Sequence, residues 1–257
     1  MIGSTAPAKV SGYTLDSAER AEDLVHTLAS KKALRLLYEE YYSSYMRVLE
    51  RCPIEGISVE LGSGMGFAKD FIPSLVTSDI IPYSRLDRAI DAAQLPYKKG
   101  ELRALFLLNS FHHLPDVEGF FSEATRCLCP GGRIFIIDQH HGWISRWVLR
   151  YAHHEPYDSA AQSWGIEPGG PLTAANGALA WLVFERDAAR FRKLYPSLEV
   201  IYYRPHTPLR YWLAGGMKKW TLLPAFFFPL ASWVDRLLVA ISPNFGSFVA
   251  IEIVRLP

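Results

Sequence analysis

The stretch "VELGSGMGF", Val59–Phe67, sets glycines at 62, 64 and 66, directly after the apolar run "ISVEL" (Ile57–Leu61). Such a run, ending in a glycine turn, reads as a buried strand whose end meets a ligand. Gly62 permits the tight turn, Gly64 lets a ligand approach the backbone, and Gly66 leaves room for a following helix to pack near the sheet. Glu60, just before the turn, would repel phosphate and suits a cation or an ammonium group. Asp79 ends the next apolar run, 19 residues after Glu60, and a carboxylate there can accept both hydroxyls of a ribose. The turn and its two acids describe a nucleoside site. The G-x-G-x-G spacing is not the G-x-G-x-x-G that cradles a pyrophosphate, which disfavours a nicotinamide dinucleotide.

Working outward, "LVTSD" (Leu75–Asp79), "RAID" (Arg88–Asp91), "ALFLLN" (Ala104–Asn109) and "RIFIID" (Arg133–Asp138) read as further buried parallel strands. Between the last two, Pro115 and Asp116 start a helix with Val117, Phe120, Phe121, Ala124 and Leu128 on one face, which Pro130-Gly131-Gly132 should stop. "LEVIYY" (Leu198–Tyr203) and "FVAIEIV" (Phe248–Val254) add two more strands. The pattern predicts an α/β class: a doubly wound, seven-stranded, mostly parallel sheet of the Rossmann-like kind. Residues 1–52 form a helical N-terminal cap, with one helical segment from Ser17 to about Arg51 behind a mobile first fifteen residues. Residues 53–257 form the main domain, with lid segments 139–196 and 207–246 inserted after the fifth and sixth strands, on the side where such sheets bind ligands.

Composition narrows the partners. Of 257 residues, 49% are apolar, enough for a sizeable core, and the formal net charge is +1 without long runs of one sign. That excludes a basic track for nucleic acid. Cys52, Cys127 and Cys129 lack zinc-ligand spacing and make no disulfide framework, which fits a reducing compartment. The opening "MIGSTAPAKV" has no basic region followed by an apolar one, so a cytoplasmic protein is expected, with room for a peripheral place at the inner membrane face.

The ordered blocks "VELGSGMG", "SD" (Ser78–Asp79), "DAAQLPY" (Asp91–Tyr97), "LLNSFHHLPD" (Leu107–Asp116) and "CLCPGGRIFIID" (Cys127–Asp138) resemble the class I S-adenosylmethionine-dependent methyltransferases, in particular the small-molecule group. The resemblance spans roughly residues 35 to 140. It implies S-adenosylmethionine as cofactor, with Glu60, Gly62, Ser63, Gly64 and Gly66 beside the methionine moiety and Asp79 at the ribose. It further places Asp91 and Ala92 near adenine, and Asn109 under the sulfonium. Only twelve residues separate Asp79 from Asp91, so the helix usual between those strands should shrink to a turn.

Methyl transfer requires a nucleophile in line with the methyl group, and a base only where the nucleophile is poor. Histidine suits that task, and the histidines cluster after strands. His112 and His113 follow the fourth strand, and at His113, the candidate of the two, a structural or cofactor-side role competes with base catalysis. His140 and His141 follow the fifth, where an acceptor should enter. His153 and His154, near Glu155 and Asp158, read as a solvated helix end, so no metal ligands are assigned. Among the tyrosines at helical spacing in 38–45, Tyr42 is the candidate to fold over the cofactor.

The last connection, about forty residues long, contains the uncharged run Trp220–Val234 with Pro224 and Pro229. At fifteen residues it is too short to span a bilayer. It reads as a buried lid or homodimer surface, or as an interfacial segment flanked by Lys218, Lys219 and Arg236 that meets a membrane. Either favours an apolar or amphipathic small-molecule or lipid-linked acceptor, methylated at oxygen or carbon. Arg204, His206 and Arg210, just before it, are candidates to hold an acidic group of that acceptor. The alternative is a non-catalytic partner protein that keeps the fold and binds the cofactor.

Overall fold

Apolar residues at consecutive positions give the central strands two buried faces, and the sheet forms around them. The computed structural model describes residues 9–10, 13–14, 20–152, 155–166, 169–170 and 173–257. Its seven sheet strands are β1 (Ile57–Leu61), β2 (Val76–Asp79), β3 (Arg88–Ala89), β4 (Leu102–Leu108), β5 (Leu128–Gln139), β6 (Leu198–His206) and β7 (Phe248–Arg255). They lie in the order β3-β2-β1-β4-β5-β7-β6. Strands β3 to β5 pair in parallel, and β7 runs antiparallel to both its neighbours. The chain leaves β1 toward one edge and returns to β4 on the other side, so the ends of β1 and β4 flank the crevice where open sheets bind ligands. The two-residue strands Lys9–Val10 and Tyr13–Thr14 pair with each other apart from this sheet. The remaining residues of the opening stretch expected to be mobile, and His153 and His154, lie outside the described residues.

Alternation along the strands sorts two cores. Val59, Leu105, Leu107, Ile134 and Ile136 face one, which contains α3 (Val117–Cys127). Ala104, Phe106, Phe135 and Ile137 face the other, which contains the tyrosine face of α2 (Lys32–Leu49). There the Tyr45 ring stacks on Phe106 with centroids 4.2 Å apart.

Three local expectations change and one holds. The N-terminal helix is two helices, α1 (Arg20–Ser30) and α2, because Lys31 leaves the helical region and buries its ammonium against the Gly216 and Lys218 carbonyls at 2.5 and 3.0 Å. The glycine turn opens into the 3₁₀ turn Phe67–Asp70 alone; Pro73 disfavours helical backbone at Ile72, and β2 starts three residues later. No helix separates β2 from β3, as the short spacing predicts. At the other end of α3, which Asp116 caps by accepting the Gly119 N–H at 2.8 Å, the helix stops at Cys127 and not at Pro130. Leu128 already pairs with Leu102 in β5, since Pro130 pushes the backbone before it out of the helical region.

The inserted segments cover the ends of β5 and β6. The first carries α4 (Trp143–Tyr151), α5 (Leu179–Trp181), a π-helical turn over Leu182–Arg186 and α6 (Ala188–Leu194). The second carries α7 (Arg210–Leu213) and α8 (Phe228–Ile241). Buried Arg210 joins them to the N-terminal helices: its Nε donates to Asp235 Oδ2 at 2.8 Å and its Nη1 to both Glu40 oxygens at 2.9 and 2.8 Å. Arg210 is therefore committed within the fold. The uncharged run is not a buried lid. Leu223 and Phe228 are buried, but Leu222 and Phe226 are 70% and 76% exposed, and Phe227, Leu230 and Trp233 are exposed as well. The two prolines explain this: they break the run into a loop and a helix start, leaving one face of α8 to pack inward. No helix among the described residues is long and apolar enough to cross a membrane.

Candidate active site

A cavity of about 660 Å³ opens at the switch point, within the usual range for small-ligand sites. Its inner wall is the glycine turn. Gly62 and Gly64 have φ of +71° and +53°, a region that glycine adopts without steric cost. The two differ in what surrounds them. A Cβ on Gly62 would stand 2.4 Å from the Ser110 Cβ, whereas one on Gly64 would meet nothing within 4 Å and would point into open space. Gly62 is needed by the fold, and Gly64 keeps a cradle clear. Gly66 does not line the cavity; it backs the turn against Leu86.

Around this turn the cavity gathers Glu60, Gly62, Ser63, Gly64, Asp79, Asp91, Ala92 and Asn109. Asp79 braces the turn, accepting the Gly64 N–H at 3.0 Å and the Ile81 N–H at 3.1 Å; burial raises its pKa. Asp91 Oδ1 accepts the Ala93 N–H at 2.9 Å. Asn109 leaves β4 with φ +53°, a conformation asparagine tolerates better than most residues, and so turns its side chain out of the strand. Tyr45 donates to Glu60 Oε1 at 2.9 Å, while Oε2, though buried, has no hydrogen-bond partner among the described residues. Burial raises Glu60 to about 7 against the lowering effect of Ser63 and then Tyr45. A buried acid with one unsatisfied oxygen, beside a glycine with open space before it, fits a ligand carrying an ammonium group.

The outer wall comes from the N-terminal helices and the inserted segments. Tyr42 lines the cavity, and burial raises its pKa well above the usual value. His113 lines it too; burial and the neighbouring His112 lower it to about 4. His140 and His141 do not line it. His140 is buried beside Tyr203, with Nδ1 and the hydroxyl 3.4 Å apart. His141 stacks on Trp181 at 4.2 Å and bonds to Tyr157.

The matching family model, described as a methyltransferase domain, covers residues 60–136, which hold the glycine turn, Asp79, Asp91 and both post-β4 histidines. Over those residues the chain carries a methyltransferase domain. The fold agrees. Geranyl diphosphate C-methyltransferase from Streptomyces coelicolor A3(2) is 14% identical, with a TM-score of 0.50 over 94% of this chain and 86% of that one. A chain from the complex of the Haloferax volcanii Trm112 methyltransferase activator with a methyltransferase is 15% identical, with a TM-score of 0.51 over 91% and 98%.

Part of the methyltransferase's cavity escaped the sequence. Tyr211, Trp212, Gly215, Lys218 and Trp220 line it from the second inserted segment, Val148, Ala152 and Glu155 from the first. His112, passed over for His113, is the more deeply buried of the pair. Its Nδ1 donates to Asp138 Oδ1 at 2.6 Å and its Nε2 lies 3.3 Å from Glu155 Oε2. Burial opposes charging His112, but Asp138 and then Glu155 prevail and raise it to about 10. The repeated "HH" was the one available signal, and nothing in the sequence joined it to an acid more than forty residues away.

Proposed function

We propose that this methyltransferase acts on oxygen or carbon of an apolar or amphipathic acceptor, small or lipid-linked, that it takes from a membrane surface. One observation carries the reading: the cavity opens between two elements that expose aromatic side chains to solvent. Val148 lines it from α4 and Ala152 from just after that helix, whose outer face exposes Trp143, Trp147 and Tyr151. Lys218 and Trp220 line it from the second segment, which continues into exposed Leu222, Phe226, Phe227, Leu230 and Trp233. Exposed Arg150, Lys218, Lys219 and Arg236 flank these elements. Aromatic and aliphatic groups edged by cations suit the interface of an anionic bilayer.

On the cofactor side, we propose S-adenosylmethionine and assign Glu60, Gly62, Ser63 and Gly64 to its methionine part, Asp79 to the ribose, Asp91 and Ala92 to adenine and Asn109 to the sulfonium side, with Gly66 backing the turn from outside the cavity. When bound, S-adenosylmethionine supplies an electrophilic methyl group. The chain's own groups do the rest by placement, which can account for most of such a rate enhancement. Glu60, ionised beside an ammonium group, fixes one end of the donor. Tyr42, kept protonated by burial, can donate a hydrogen bond, and neutral His113 presents Nε2 toward the acceptor.

Vesicle flotation and transfer of labelled methyl groups test this reading together. The protein should float with vesicles containing anionic phosphatidylglycerol, and label should enter the lipid-soluble fraction of a cell extract. Absence of vesicle binding together with label confined to the water-soluble fraction would sink it.

A further inference from the structure

We propose that His112, His113 and Glu155 form a binding site for one divalent transition-metal ion, of the zinc, cobalt or iron kind, on the acceptor side of the cavity. Each side chain turns one ligand atom toward a shared point. His112 Nε2 lies 3.3 Å from Glu155 Oε2, His113 Nε2 lies 3.8 Å from Glu155 Oε1, and the three ligand atoms all fall within 4.8 Å of one another. Two ligands about 2.1 Å from one ion at a tetrahedral angle stand about 3.4 Å apart. The cluster thus needs only small side-chain rotations to close on an ion.

The far side of each ring separates this cluster from a chance meeting of polar groups. The His112 Nδ1 faces Asp138 Oδ1 at 2.6 Å, and that carboxylate is fixed by the backbone N–H groups of His112 and Gln139 at 3.2 and 2.7 Å. The His113 Nδ1 faces the Ala174 carbonyl at 2.8 Å. Carbonyl and carboxylate oxygens only accept, so Nδ1 carries the proton in both rings and Nε2 is the atom left for Glu155 or an ion. Metal-binding histidines almost always make this outer hydrogen bond, because it sets the tautomer and the ring orientation. The carboxylate is steadied in turn: Gln139 Nε2 donates to Glu155 Oε2 at 3.0 Å.

Two imidazoles and one carboxylate suit zinc, cobalt or iron(II), whereas magnesium and calcium favour all-oxygen sets. Three protein ligands leave at least one position open. All three residues line the cavity that contains the glycine turn, so that position faces the space assigned to the acceptor. The histidines stand on the 3₁₀ turn Phe111–His113 after β4, and Glu155 comes from the inserted segment after α4. An ion would tie that segment to the end of the sheet. The site deepens the proposed reading at His113 and relies on it only for the identity of what fills the open position.

The full-length chain, stripped with a chelator and dialysed, should be titrated with Co²⁺ and followed by visible absorption. We expect saturation at one Co²⁺ per chain, absorption bands of a four- or five-coordinate ion, and displacement by Zn²⁺. Glu155→Gln and His113→Ala should each weaken binding about 100-fold, and Asp138→Asn about tenfold through the His112 ring. A cooperative thermal transition in each stripped variant checks that it folds. No stoichiometric Co²⁺ or Zn²⁺ binding by the wild-type chain, or binding unchanged in all three variants, would overturn the site and leave a buried hydrogen-bonded ion pair. Calorimetry with S-adenosylhomocysteine on the stripped wild type tests the cofactor reading separately, so the two failures are distinguishable.

Discussion

The two walls of the cavity are built by different means. The cofactor wall is mostly backbone: a glycine turn, with Asp79 bonded to the Gly64 and Ile81 N–H groups, at the ends of adjacent central strands. The outer wall, which we assign to the acceptor and call the acceptor wall, is mostly side chains from segments distant in sequence, joined by buried charges such as Lys31 on the Gly216 carbonyl and Arg210 between Glu40 and Asp235. A backbone wall tolerates change poorly at the few positions where an added atom meets the ligand. A side-chain wall tolerates change at most positions and fails where a buried charge loses its partner.

The hardest test of that contrast is Gly64→Val. The added branches enter the open cradle and strain a backbone held at φ +53°, so S-adenosylhomocysteine binding should weaken about 1000-fold, near 4 kcal/mol, while the chain still folds. Tight binding measured by calorimetry would mean the donor does not lie against this turn. Next comes Asp235→Ala on the opposite wall, which strands buried Arg210 with Glu40 alone. It should cost about 3 kcal/mol of stability in chemical denaturation; an unchanged midpoint would show that the buried charges do not hold the acceptor wall together.

A smaller effect separates surface from cavity. Phe226→Ser, at an exposed position, should weaken vesicle binding about tenfold, given about 1.5 kcal/mol for one large apolar side chain withdrawn from water, and leave cofactor affinity unchanged. Equal vesicle binding would remove the membrane from the acceptor wall. The smallest effect is a pH dependence of the cofactor wall. Glu60 rises from a usual 4.5 to about 7 in the folded chain, so between those values the unfolded state binds fewer protons and stability falls as pH rises. A ligand ammonium relieves that penalty. The thermal shift produced by S-adenosylhomocysteine should therefore be larger at about pH 8 than at about pH 6, and Glu60→Gln should flatten the difference.

The contrast also explains what could be read in advance. The seven strands, the missing helix between β2 and β3, and the gathering of Glu60, Ser63, Gly64, Asp79, Asp91, Ala92 and Asn109 around one cavity follow from short-range patterns. A strand end, a turn and the next acid lie within one supersecondary unit, whose geometry is nearly fixed by chirality and connection rules. His140 and His141 had the right distance along the chain and the wrong direction, because Tyr203 on β6 holds the one and Tyr157 and Trp181 of the first inserted segment hold the other. The break at Lys31 was illegible for a similar reason. Lysine is a good helix former, and its partners are carbonyls 185 and 187 residues away.

By itself, then, the sequence determined the sheet, the glycine turn and the cationic nucleoside that the turn suits, since each rests on residues close in the chain and on backbone geometry. Only the tertiary structure decided that His112 and His113 meet Glu155, that Arg210 belongs to Asp235 and Glu40, and that most of the apolar run lies exposed. Those outcomes depend on which distant side chains compete for the same buried groups, and packing settles that competition only after the sheet is in place.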